Sequence, residues 1–108
     1  YQDFSALFTA DIGEKTELAL LDVGVLKKTS VLKVPHHGSK YSSSISFLDK
    51  LKPKIAVISV GEKNSYGHPS GDTLIRLDKV MAKIFRTDEQ GSVKILYDGL
   101  GMQIFTAK

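Results

Sequence analysis

KIAVISVG, residues 54–61, is apolar at five of the six positions from Ile55 to Val60 and closes on a glycine. A strand with one wet face alternates apolar and polar residues. An unbroken apolar run of this length reads instead as a strand buried on both faces, as in a sheet with helices against it. Its flanks then decide the class, because helical patterns between strands make the chain α/β.

Both flanks supply such patterns. Upstream, SSSISFLDKLKP (42–53) carries a serine able to cap a helix, Ile45, Leu48 and Leu51 near helical spacing, and Pro53 just past the end. TSVLKVPHHG (29–38) reads as a strand broken by Gly38. EKTELALLDVG (14–24) reads as a helix with Leu18, Leu21 and Val25 on one face and Gly24 as its stop. Phe4, Ala6, Leu7 and Phe8 form a first apolar run, ending at TADIG, where Asp11 and Gly13 mark a turn. Downstream, Ser70 is placed to cap a helix in which Leu74, Leu77, Met81 and Ile84 recur every three or four residues. The segment 83–108 alternates with period two and is broken at Gly91 and at DGLG, which predicts two or three short strands with hairpin turns. The expected order is strand, helix, strand, helix, strand, helix, then strands, in one domain spanning residues 1–108.

Composition bounds what such a domain can do. With 108 residues and 42% hydrophobic content the chain can bury one core. Fifteen basic against twelve acidic side chains, a net charge of +3, mildly favours an anionic partner. The absence of cysteine excludes disulfides, thiolate metal sites and cysteine nucleophiles, so any metal ligands are His, Asp or Glu. No apolar run approaches the roughly 18 residues that cross a bilayer. The chain opens on Tyr1 rather than Met and enters a strand pattern almost at once, as a piece cut from a longer protein would.

Three successive strands end in polar or glycine-rich loops that hold Asp11, then His36 and His37, then His68. In open α/β sheets the loops at the carboxyl ends of strands gather on one edge, where ligands bind. A carboxylate and imidazoles from adjacent strand ends suit zinc or manganese. Two ions bridged by one carboxylate activate a water and neutralise charge growing on a phosphodiester. Asp11 is the candidate bridge. One imidazole would complete a metal shell, and another would orient it, bind phosphate or protonate a leaving oxygen. One aspartate and two histidines still fall short of two full shells. Each residue also has a plainer role: Asp11 as a helix cap, His68 as a loop histidine bonded to backbone. In an extended backbone, moreover, His36 and His37 point to opposite sides, so that at most one faces a given site.

LFTADIG, LKVPHHGSKYSSSISFLDKLKPKIAVISVGEKNSYGHPS and the following TLIRL closely resemble the C-terminal half of the metallo-β-lactamase-like domain at the end of ComEC competence proteins, the channels of bacterial DNA uptake, and of related free-standing hydrolases. The resemblance runs through nearly the whole chain and is most specific between PHHGS and YGHPS. It implies the C-terminal half of an αβ/βα sandwich, a mixed sheet flanked by helices, and a hydrolase with two divalent ions, zinc or manganese, acting as a nuclease on the DNA strand that is not imported. By motif, Asp11 matches the bridging aspartate, with Ala10 in place of the usual glycine. HHGS matches the last metal-ligand histidine motif, His36 or His37 being the ligand, and His36 is favoured because it ends the strand. His68 in YGHP matches a residue beside the metals that meets substrate phosphate, with Ser39, Asn64, Ser65 and Tyr66 as hydrogen-bonding partners.

The family's main motif, His-x-His-x-Asp-His, belongs to the N-terminal half of the domain and does not occur here. The expectation is a chain that alone is metal-free or binds metal weakly, and is inactive or nearly so. Its proper partners would be the missing half of the domain and DNA, single-stranded or duplex. A sheet face left bare by that missing half predicts self-association. The resemblance places the domain on a bacterial membrane protein, outside the cytoplasm, or in the cytoplasm for a free-standing hydrolase with a small-molecule substrate. The competing reading is a non-catalytic docking module that holds nucleic acid through Lys33, Lys40, Lys63 and Arg76.

Overall fold

In the computed structural model, residues 4–9, 12–61 and 67–108 are described. Four short strands, β1 (Ala6–Phe8), β2 (Val31–Lys33), β3 (Ile55–Ile58) and β4 (Lys83–Arg86), form one sheet in that order. Every pairing is parallel, with Leu7 opposite Leu32 and Leu32 opposite Ala56. Helices α1 (Glu14–Val23), α2 (Ile45–Leu51) and α3 (Gly71–Lys79) make the crossovers. Right-handed crossovers between strands taken in sequence put all three helices on one face. The packing agrees: Leu20 and Leu21 of α1, Phe47, Leu48 and Leu51 of α2, and Leu74 and Leu77 of α3 share one core with Leu7, Leu32, Ala56, Ile58 and Ile84.

The chain's end covers part of the other face. Strands β5 (Val93–Tyr97) and β6 (Met102–Thr106) form an antiparallel hairpin. Its Val93, Ile95, Met102 and Ile104 pack on Val31, Ile55 and Phe85, which alternate along the sheet with the helix-facing residues. The expected single mixed sheet is therefore corrected to two sheets, one parallel and one antiparallel, stacked through this smaller core. Parallel strands need crossovers while a short turn closes an antiparallel pair, so the two pairings separate at the short helix α4 (Thr87–Gln90). The bare sheet face also narrows. What stays open is its β1 end, where Phe8 is 76% exposed.

Local signals explain where the helices begin and stop. Ser44 and Ser70 accept from the backbone N–H groups of Phe47 and Thr73, the caps of α2 and α3. Gly24 closes α1 at φ 71, a left-handed conformation in which glycine carries no Cβ penalty. Two details of the periodic reading are corrected. Helix α3 ends at Lys79, so Met81 stands exposed at φ 62 in the turn and Ile84 belongs to β4, because the strand pairing of residues 83–86 outweighs continued helical spacing. Of the expected α1 face, Leu21 packs on the core, Leu18 is exposed and Val25 lies exposed beyond the helix end, while the residue wholly buried is Glu17. No helix among the described residues is long and apolar enough to cross a membrane.

Candidate functional site

Pro35–Gly38, one residue after β2, forms a tight turn at the carboxyl edge of the sheet. His36 (φ 53, ψ 40) and His37 (φ 53, ψ 28) both sit in the left-handed region. The extended backbone that would aim them to opposite sides is not adopted: two successive left-handed residues turn the chain here. Such residues cost roughly 1–2 kcal/mol each, so they persist only where neighbouring contacts hold them.

The neighbouring contacts come from the loop that precedes α3. Gly38 lies against Pro69, so closely that a Cβ at position 38 would fall 2.6 Å from Pro69 Cβ. The Ser70 N–H donates to Gly38 O at 2.9 Å, and Thr73 Oγ1 donates to Ser39 O at 3.0 Å. These ties bring the His68 ring to 6.0 Å from that of His36, centroid to centroid, at 68°. His68 is half-buried, and its pKa is lowered first by that burial and then by the nearby His36 and His37 rings. His68 is thus within electrostatic reach of both other imidazoles, which, with burial, disfavour its protonated form.

His37 has a further anchor. Its Nδ1 lies 2.7 Å from Ser59 O, and because a carbonyl only accepts, Nδ1 carries the proton. In the neutral ring Nε2 then holds the lone pair, the arrangement in which a histidine ligates a metal while backbone fixes its tautomer. Thr87 Oγ1 both accepts from Val60 N–H at 2.8 Å and donates to Val60 O at 2.9 Å, holding the end of the strand that supplies this carbonyl.

The stretch after the histidines is held from two sides. Glu17, fully buried on α1, accepts from Ser43 N–H at 2.5 Å and Ser44 N–H at 2.9 Å. Burial raises its pKa, and these two backbone donors oppose the rise. From α3, the Arg76 guanidinium donates to the carbonyls of Ser43, Ser42 and Lys40 at 2.9, 3.1 and 3.0 Å. Arg76 is therefore corrected from a nucleic-acid contact to an internal clamp. Composition alone does not distinguish the two roles.

His36, Ser39, Lys40, Tyr41, His68 and Ser70 line an open pocket of about 430 Å³. Ser39 is buried, and its hydroxyl accepts from Tyr41 N–H. The Lys40 ammonium lies 5.2 Å from the centre of the Tyr41 ring, which is exposed. Tyr41 and Ser70 are lining residues that the motifs did not single out; their signal was only adjacency to HHGS and to His68. Asp11, Asn64, Ser65 and Tyr66, and Lys63 of the docking reading, lie outside the described residues. Among the described residues no three His, Asp or Glu side chains stand close enough together to hold a metal ion. Chemically the donor set suits a borderline divalent ion, yet it makes only part of a shell.

The chain is 38% identical over 93 residues to ComE operon protein 3 of Bacillus subtilis, covering 86% of this chain and 12% of that protein. Over 91 residues it is 34% identical to Recombination protein 2 of Haemophilus influenzae, covering 84% and 11%. It is 38% identical over 96 residues to Competence protein ComA of Neisseria gonorrhoeae, covering 88% and 14%. The chain thus spans between 11% and 14% of the length of these relatives. No family model and no solved structure matches it.

Proposed function

We propose, from the premise that this chain is homologous to competence-related proteins, that it is the C-terminal part of a metallo-β-lactamase-like hydrolase acting on DNA phosphodiesters during uptake. The observation that carries the reading is the gathering of His36, His37 and His68 at the carboxyl edge of a parallel sheet. Two strained histidines and a third from the neighbouring loop cost stability, and a fold retains such an arrangement where the site has work to do.

In this reading Asp11 and the His36 or His37 imidazole form one side of a divalent-metal centre, and the rest of the ligands come from a segment bearing the His-x-His-x-Asp-His motif. A bound pair of zinc or manganese ions supplies Lewis-acid activation of water and charge neutralisation at phosphorus. His68, its pKa lowered by burial and by the neighbouring imidazoles, donates a ring N–H hydrogen bond to a phosphate oxygen. Lys40 contributes positive charge at the rim of the same pocket. A domain of this kind sits on the outer side of a bacterial membrane channel.

The test replaces the matching 93 residues of ComE operon protein 3 with this chain and follows manganese- or zinc-dependent cleavage of single-stranded and duplex DNA. The expected result is metal-dependent turnover in the chimera, its loss on His36→Ala with His37→Ala or on His68→Ala, and no turnover by the chain alone. Robust turnover by the isolated chain would overturn the half-site reading. A well-folded chimera whose cleavage ignores all three histidines would overturn the hydrolase.

A further inference from the structure

We propose a second binding surface, for the backbone of single-stranded nucleic acid, on the sheet edge opposite the histidines and built around Lys28, Lys52 and Lys54. These lysines line a groove of about 270 Å³ together with Phe4, Ser5 and Ser30. Lys28 and Ser30 precede β2 and Lys54 precedes β3, so the groove lies at the amino ends of the strands whose other ends lead to the histidine loops. It continues past Lys54 and Phe4 into a second groove of about 290 Å³, walled by Tyr97, Leu100 and Met102. The proposal does not rest on the hydrolase reading.

Charge is concentrated on the segment that builds this edge. Residues 27–54 hold seven lysines against one aspartate, whereas the rest of the chain holds eight basic side chains against eleven acidic. Among the described residues the ion pair made by these three lysines is Lys52 with Asp49 at 3.6 Å, both exposed, a pairing that water and salt weaken readily. Three ammonium groups along one trough therefore present a field that a row of phosphates satisfies.

The rest of the trough selects the kind of polyanion. Phe4 and Tyr97 stack with centroids 4.8 Å apart and planes 22° apart, which puts aromatic surface beside the lysines. Leu100, 96% exposed, stands at the hairpin tip. Lysines on one side and aromatic and apolar wall on the other fit an extended strand with unpaired bases, whose faces seek such surfaces. A lipid headgroup layer fits less well. The lining is a concave trough, which follows a single extended chain better than a flat layer of headgroups.

Fluorescence anisotropy of a labelled single-stranded oligonucleotide, in chelator to silence any metal chemistry, tests the assignment. Three lysine contacts predict a slope of log affinity against log salt of about −2 between roughly 50 and 200 mM. The triple variant Lys28→Glu/Lys52→Glu/Lys54→Glu is expected to lose at least about tenfold in affinity and most of that slope. The charge-matched control Lys15→Glu/Lys79→Glu/Lys94→Glu, altered at exposed positions elsewhere, should retain binding. Equal loss in the control, or no effect of the triple variant, would overturn the proposal. Lysine-dependent capture by phosphatidylserine vesicles without oligonucleotide binding would do the same.

Discussion

Gly38→Ala is expected to destabilise the protein by about 2–5 kcal/mol, the sum of a left-handed penalty of roughly 1–2 and an overpacking cost of roughly 1–3. At φ 81 an alanine is strained by its own Cβ. That Cβ would also meet Pro69 Cβ at 2.6 Å and Cα at 3.0 Å, and a proline ring with its backbone has no side-chain freedom with which to yield. Domains of this size have about 5–15 kcal/mol in hand, so the loss takes up much of the margin. Any relief must separate the two loops, breaking the Ser70 N–H bond to Gly38 O and carrying His68 away from His36. Gly71→Ala is the control, since a Cβ there meets nothing within 4 Å in the first turn of α3. Urea unfolding should show a large drop for the first variant and a change within about 1 kcal/mol for the second. Equal stabilities would mean the loops are not packed as described.

Glu17→Ala is expected to cost about 2–4 kcal/mol, because the Ser43 and Ser44 N–H groups lose a buried acceptor at roughly 1–3 each, offset in part by relief of the carboxylate's own burial. The damage should concentrate in the segment between His37 and α2, where Ser43 itself is left-handed at φ 56 and buried. A pH signature separates this from simple cavity formation. Glu17's folded pKa is raised, so between its ordinary value and the raised one the folded state binds more protons than the unfolded state. Stability from this group therefore falls as pH rises through that window. The advantage of the wild-type chain over Glu17→Ala should be largest below the ordinary carboxylate value and shrink to a plateau once the pH passes the raised one. An advantage that grows with pH instead would mean that the two backbone donors outweigh burial.

Much of the architecture was legible because short-range physics writes it. The apolar run of β3, the serines before α2 and α3, Gly24 and Pro53 each act within one turn of chain, and each stands where expected. What the chain does not write locally is what depends on partners far along it. Glu17 breaks its helix's apolar face because residues 43 and 44, over two dozen positions on, supply its donors. Arg76 looks like a surface charge until the carbonyls of Lys40, Ser42 and Ser43 close around it. The two histidines escaped the alternation rule because their turn is stabilised by Pro69 and Ser70, and periodicity does not encode a contact across thirty residues. The candidate site divides in the same way. Its imidazoles were readable from motif and strand-end placement, whereas Tyr41 and Ser70 entered only once the loops were folded together.

The central claim is that a cation can be shared between Asp11 and the double-histidine turn. Its most direct measurement is the anomalous diffraction of the chimera crystallised with zinc. The account predicts an ion at about 2.0–2.2 Å from the Asp11 carboxylate and from a ring nitrogen of His36 or His37. An ion bound elsewhere, with that carboxylate and both rings on opposite edges of the sheet, would contradict it.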